Sequence, residues 1–89
     1  MREYKDCSNR LTFDLSNDWR DYKKFSKKLI SLYGEPIDKI SCYDENYFDF
    51  NIDENIIVLH SEGMMGVSIN IKDGSNDDLL RNVAHKLLK

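Results

Sequence analysis

The stretch YFDFNIDENIIVLHS, residues 47–61, sets two runs rich in aromatic and β-branched residues on either side of Asp53 and Glu54. Parallel strands need a crossover of a dozen or more residues, so runs joined this closely pair as an antiparallel hairpin. The pattern extends both ways. Three candidate strands span 40–43, 47–52 and 56–61, separated by short polar links, and a fourth runs to Ile71, with Met65, Val67, Ile69 and Ile71 on one side. Upstream, RLTFDLS alternates Leu11, Phe13 and Leu15 with Thr12 and Asp14, the period of a half-buried strand.

Two helices complete the chain. Ser16 and Asn17 can cap a helix in which Trp19, Tyr22, Phe25, Leu29, Leu32 and Tyr33 recur at helical spacing, until Gly34 and Pro36 stop it. Near the end, Ser75 is a candidate N-cap, with Asp77 and Asp78 at the positive helix end and Lys86 and Lys89 at the negative one. Leu79, Leu80, Val83, Ala84, Leu87 and Leu88 form a continuous apolar stripe that must be covered. The expected fold is α+β: a two-layer sandwich of a mainly antiparallel sheet with two helices on one face, in the order β-α-β-β-β-β-α. All 89 residues form a single domain, and the other sheet face is left to water or to a partner.

Hairpin register decides which residues line that open face. A two-residue loop at Asp53–Glu54 pairs Phe48 with Leu59 and Phe50 with Ile57, leaving Tyr47, Asp49, Asn51, Ile56, Val58 and His60 outward. A bulge or a loop longer by one residue turns His60 toward the core instead. Both registers are open, but Tyr47, Asp49 and Asn51 stay together in either, because alternation within one strand does not depend on its neighbour.

Composition narrows function. A chain of 89 residues buries only about 60% of its unfolded surface, and 33% charged residues suit a soluble protein. The longest apolar run, Ile56–Leu59, is far short of a membrane span, and the first ten residues lack the apolar core of a secretory signal. A cytoplasmic location is expected. Cys7 and Cys42 show no paired metal spacing and read as free thiols. From Ser41 to Ile71 there is no Lys or Arg, while Asp44, Glu45, Asp49, Asp53, Glu54 and Glu62 fall there.

Motifs for catalysis are absent. His60 and Ser61 are adjacent on a strand, so their side chains point to opposite faces and form no nucleophile–base pair. His85 reads as a helix-end residue. The segment around Asp49, Asp53, Glu54 and His60 lacks the glycine and the order of a calcium loop, and the four glycines form no phosphate loop. Neither metal nor cofactor is expected. Lys23, Lys24, Lys27 and Lys28 make a basic ridge opposite the apolar stripe of the first helix, the basis of an alternative reading as a small nucleic-acid-binding or regulatory module. A net charge of −3 and the acids at 77 and 78 argue against nucleic acid as the main partner.

Residues 47–69, YFDFNIDENIIVLHSEGMMGVSI, resemble the aromatic strand, hairpin and LHSE strand, followed by glycine and serine, of small bacterial immunity proteins of contact-dependent or polymorphic toxin systems. The resemblance implies a non-enzymatic, cytoplasmic, single-domain inhibitor that binds one cognate toxin, often a nuclease. It carries over no contact residues. Those come from the charge map: Tyr43, Asp44, Glu45, Tyr47, Asp49, Asp53 and Glu54, with Glu62 further off, suit a partner whose basic cleft holds phosphates.

Overall fold

A computed structural model describes residues 2–5, 10–72 and 76–89. The elements are β1 (Arg2–Lys5), β2 (Leu11–Ser16), a 3-10 turn at Trp19–Asp21, α1 (Tyr22–Tyr33), β3 (Asp38–Cys42), β4 (Glu45–Ile52), β5 (Asn55–Glu62), β6 (Gly66–Ile71) and α2 (Asp77–Leu87). Among the described residues, six strands form one antiparallel sheet in the order β1-β2-β6-β5-β4-β3. Both helices pack on one face of it, giving the expected α+β class. The short leading strand β1 is added to the expected order.

Apolar alternation places the core between sheet and helices. Leu11, Phe13 and Leu15 of β2, Phe50 and Ile52 of β4, Ile57 and Leu59 of β5, and Val67, Ile69 and Ile71 of β6 are buried there. Phe25 and Leu29 of α1 and Leu80, Val83, Ala84 and Leu87 of α2 close the core from the other side. Each of the larger of these side chains, Ala84 apart, contributes roughly 1.5–3 kcal/mol on burial. The ends of both stripes are not covered: Trp19, Leu32 and Leu88 are exposed. Trp19 falls outside α1 because the Asp18 carboxylate accepts from the Arg20 amide at 3.0 Å and caps a 3-10 turn instead. Ser16 caps no helix; its hydroxyl accepts from the Asp18 amide at 3.0 Å and donates to Asp21 Oδ2 at 2.7 Å.

The ends of the helices follow elementary rules. The Gly34 amide donates to the Ile30 carbonyl at φ +98°, a conformation other residues rarely adopt. Asn76 caps α2, accepting from the Leu79 amide at 3.1 Å, while Ser75 and Cys7 lie outside the described residues. At the other end of α2, Lys28 of α1 donates to the carbonyl oxygens of Leu87 and Lys89. β1 is tied to the same helix by charge: Arg81 Nε meets Glu3 Oε1 at 2.9 Å and Lys5 Nζ meets Asp77 Oδ2 at 4.0 Å.

Turn positions differ from the expected ones by a residue or two. β3 ends at Cys42 and β4 begins at Glu45, so the first hairpin turns through Tyr43 and Asp44 alone. Met65 does not join Val67, Ile69 and Ile71; it is exposed in the turn before β6. At that corner, Gly66 sits at φ +90°, where an added Cβ would lie 2.1 Å from the Ser16 carbonyl oxygen. Only glycine lets the β2 exit lie against β6 there.

Candidate functional site

The register of β4 and β5 pairs Phe48 with Leu59, Phe50 with Ile57 and Tyr47 with His60. This is the two-residue loop of the two open alternatives, and both turn residues have positive φ, 50° at Asp53 and 66° at Glu54. The helix-free face therefore carries Glu45, Tyr47, Asp49 and Asn51 from β4, Ile56, Val58, His60 and Glu62 from β5, Ser68 and Asn70 from β6, and Ile40 and Cys42 from β3. Ser61, on the opposite side from His60, accepts a hydrogen bond from the Asn46 amide nitrogen at 3.2 Å.

That face is dished rather than flat and wet. A hollow of about 210 Å³ is lined by Arg10, Ile40, Tyr47, Asp49, Val58, His60, Asn70 and Lys72. At its floor Asp49 is only 6% exposed, and its carboxylate meets Lys72 Nζ at 3.2 Å. The expectation of Asp49 as an outward acid available to a partner is thus overturned. Lys72 arrives from two strands away, held where its amide donates to the Ile56 carbonyl at 2.8 Å. Arg10 Nη1 donates to the Lys72 carbonyl at 3.2 Å on the same side.

The remaining acids divide between the two ends of the sheet. Asp53 and Glu54 are exposed at one turn, and Asp53 lies eight positions along the strand from Glu45, roughly 26 Å. At the other end, beside Tyr43, Asp44 meets the turn at Gly63, where an added Cβ would come 3.0 Å from Asp44 Oδ2. Glu45 and Glu62 are directly paired across β4 and β5 at this same end. Beside them Tyr43, Met64 and Met65 are among the most exposed large side chains, at 107%, 90% and 61%. The structure thus brings Tyr43, Asp44, Glu45, Tyr47 and Glu62 together and leaves Asp53 and Glu54 apart. Met64 and Met65 were missed; their signal was two consecutive thioethers after a glycine, at a position read as strand.

Within the cluster, Tyr47 is the organising residue. Its ring stacks on the His60 imidazole, centroids 4.4 Å apart and planes within 9°, and its hydroxyl donates to Glu45 Oε1 at 3.3 Å. Burial, then the neighbouring Glu45 charge and hydrogen bond, hold the phenol pKa above the ordinary 10.0. His60 Nε2 lies 3.4 Å from the same Glu45 oxygen, yet it makes no hydrogen bond and is closed off from solvent.

The lysine ridge is partly drawn into the fold. Lys28 is tied to the end of α2, and Lys24 Nζ lies 4.9 Å over the Phe25 ring. Lys23, Lys24 and Lys27 all stay exposed. Among the described residues no helix is long and apolar enough to cross a membrane. Comparison with protein-family models, with curated proteins and with solved structures finds no match.

Proposed function

We propose that the protein is a non-enzymatic immunity-type protein that binds and neutralises a cognate toxin, in the first place a nuclease with a basic cleft. One observation supports this most: a single end of the sheet combines exposed Tyr43, Met64 and Met65 with the acids Asp44, Glu45 and Glu62. Carboxylates speed encounter with a basic surface and set its specificity. Aromatic and thioether groups then supply area that is desolvated on contact, and methionine adapts its shape to a partner. The resemblance of residues 47–69 to immunity proteins points to a toxin as that partner. Asp53 and Glu54 are left out of the contact by their distance, and Asp49 by its burial under Lys72.

The test begins with the adjacent upstream reading frame. On this reading it encodes a large secreted protein whose variable C-terminal domain co-purifies with this chain. Titrating that domain against Asp44→Lys/Glu62→Lys should weaken binding by at least about tenfold, about 1.4 kcal/mol, with a flatter salt dependence. Asp53→Lys/Glu54→Lys should bind as the parent does. Equal affinity in all three proteins would sink the proposed surface. Salt-sensitive retention on a polyanion column, lost in Lys23→Glu/Lys27→Glu, would favour the nucleic-acid module instead.

A further inference from the structure

Glu45, His60 and Glu62 come from neighbouring strands and converge on the helix-free face. One carboxylate oxygen from each Glu and one imidazole nitrogen all lie within 4.8 Å of one another, and all three residues are half-buried. Two carboxylates directly opposed across a strand pair repel each other. The segment that holds them contains no Lys or Arg, and Lys72, which reaches over the same face, is engaged by Asp49. A second, independent oddity sits in the same place. His60 Nε2 is hidden from water without a hydrogen bond, although a good acceptor lies 3.4 Å away.

The distance itself suggests what would resolve both. A tetrahedral zinc ion with bonds of about 2.0–2.2 Å holds neighbouring ligand atoms roughly 3.3–3.6 Å apart. The separation of His60 Nε2 from Glu45 Oε1 already matches that edge. Glu62 has only to swing its carboxylate inward. Tyr47 fixes the other two, stacking on the imidazole and donating to Glu45, as outer partners of metal ligands commonly do. Calcium wants six to eight oxygens, whereas an imidazole with two carboxylates suits zinc and its neighbours in the transition series.

We propose that Glu45, His60 and Glu62 form a zinc-type divalent metal site, with His60 Nε2 and one oxygen of each carboxylate as ligands and a fourth position open to water. The expectation from sequence that no metal is held considered a different set, Asp49, Asp53, Glu54 and His60, whose members do not converge. The site is argued from its donors and does not rest on the toxin reading. It shares Glu45 and Glu62 with the proposed toxin surface, so toxin binding is measured with chelator present and zinc binding with no toxin domain present, which keeps the failure of one distinguishable from the failure of the other.

The experiment uses the full chain with Cys7→Ser and Cys42→Ser, which removes the thiols as competing ligands, after dialysis against a chelator. Calorimetric titration with zinc chloride should show saturable binding of one equivalent, and cobalt(II) should give the visible absorption of a low-coordinate site. Glu62→Gln and His60→Asn should each weaken zinc by at least about tenfold, since even outer partners of a metal are worth 10–100-fold. Glu54→Gln should change nothing. A readout on the parent chain covers the case in which a variant misfolds. By nuclear magnetic resonance, zinc should shift the His60 imidazole and leave His85, the other histidine, in place. No saturable binding, zinc binding that survives both substitutions in folded variants, or shifts at His85 alone would overturn the proposal.

Discussion

Asp49 shows how one residue's meaning depends on a neighbour far away in the chain. Its carboxylate is buried beneath the half-exposed Lys72, so charge reversal there would place a buried cation against a second positive charge and damage the fold before it altered any partner. Tyr47 offers a cleaner probe. Of the five tyrosines, it should ionise above the ordinary 10.0 because burial, first, and Glu45, second, favour the neutral phenol. A raised folded-state pKa means that this contribution to stability is complete below pH 10 and fades as the pH climbs through the raised value. Phenolate absorbance of the parent against Tyr47→Phe should show the late step vanish, and Glu45→Gln should bring it only part of the way down. A Tyr47 step at the ordinary pH would contradict the packing described. Gly66 makes the steric counterpart: Gly66→Ala puts a methyl 2.1 Å from the Ser16 carbonyl at positive φ. The expected loss is about 3 kcal/mol or more in urea denaturation, and an unchanged midpoint would refute the close approach of β2 and β6.

Among the elements, the turn between β4 and β5 is the least economical. Asp53 and Glu54 both sit at positive φ, the type I′ pattern that asparagine–glycine fills best. Left-handed backbone costs an L-residue roughly 1–2 kcal/mol. Glu54→Gly should therefore stabilise the chain by about 1 kcal/mol, read as a higher urea midpoint. It should leave binding at the far end of the sheet unchanged; a lower midpoint would mean that Glu54 makes contacts this turn geometry does not contain. Alternation made β2, β4, β5 and most of β6 legible in sequence, because each has one face in the core. β1 was not, since Glu3 and Lys5 turn charge rather than apolar surface toward α2. Trp19 followed the helical period and still fell outside α1, because the Asp18 cap outweighs a weak preference for continuing the helix.

At the level of the whole molecule, the layer architecture could be read from two periodicities, but the site could not. Glu45, His60 and Glu62 meet only in one of two hairpin registers, and Lys72 reaches Asp49 only because β6 lies beside β5. Which acids share an end of the sheet is likewise a matter of turn placement, which charge runs do not encode. The strand order has a further consequence, for the order of assembly. β3 to β6 form from neighbours in the chain, but β2 finds its inner partner only in β6, some fifty residues later. During synthesis, Leu11, Phe13 and Leu15 therefore wait without that partner until residues 67–71 have emerged. That waiting interval, with apolar side chains and a strand edge both uncovered, is when the newborn chain is most exposed to sticking to its copies.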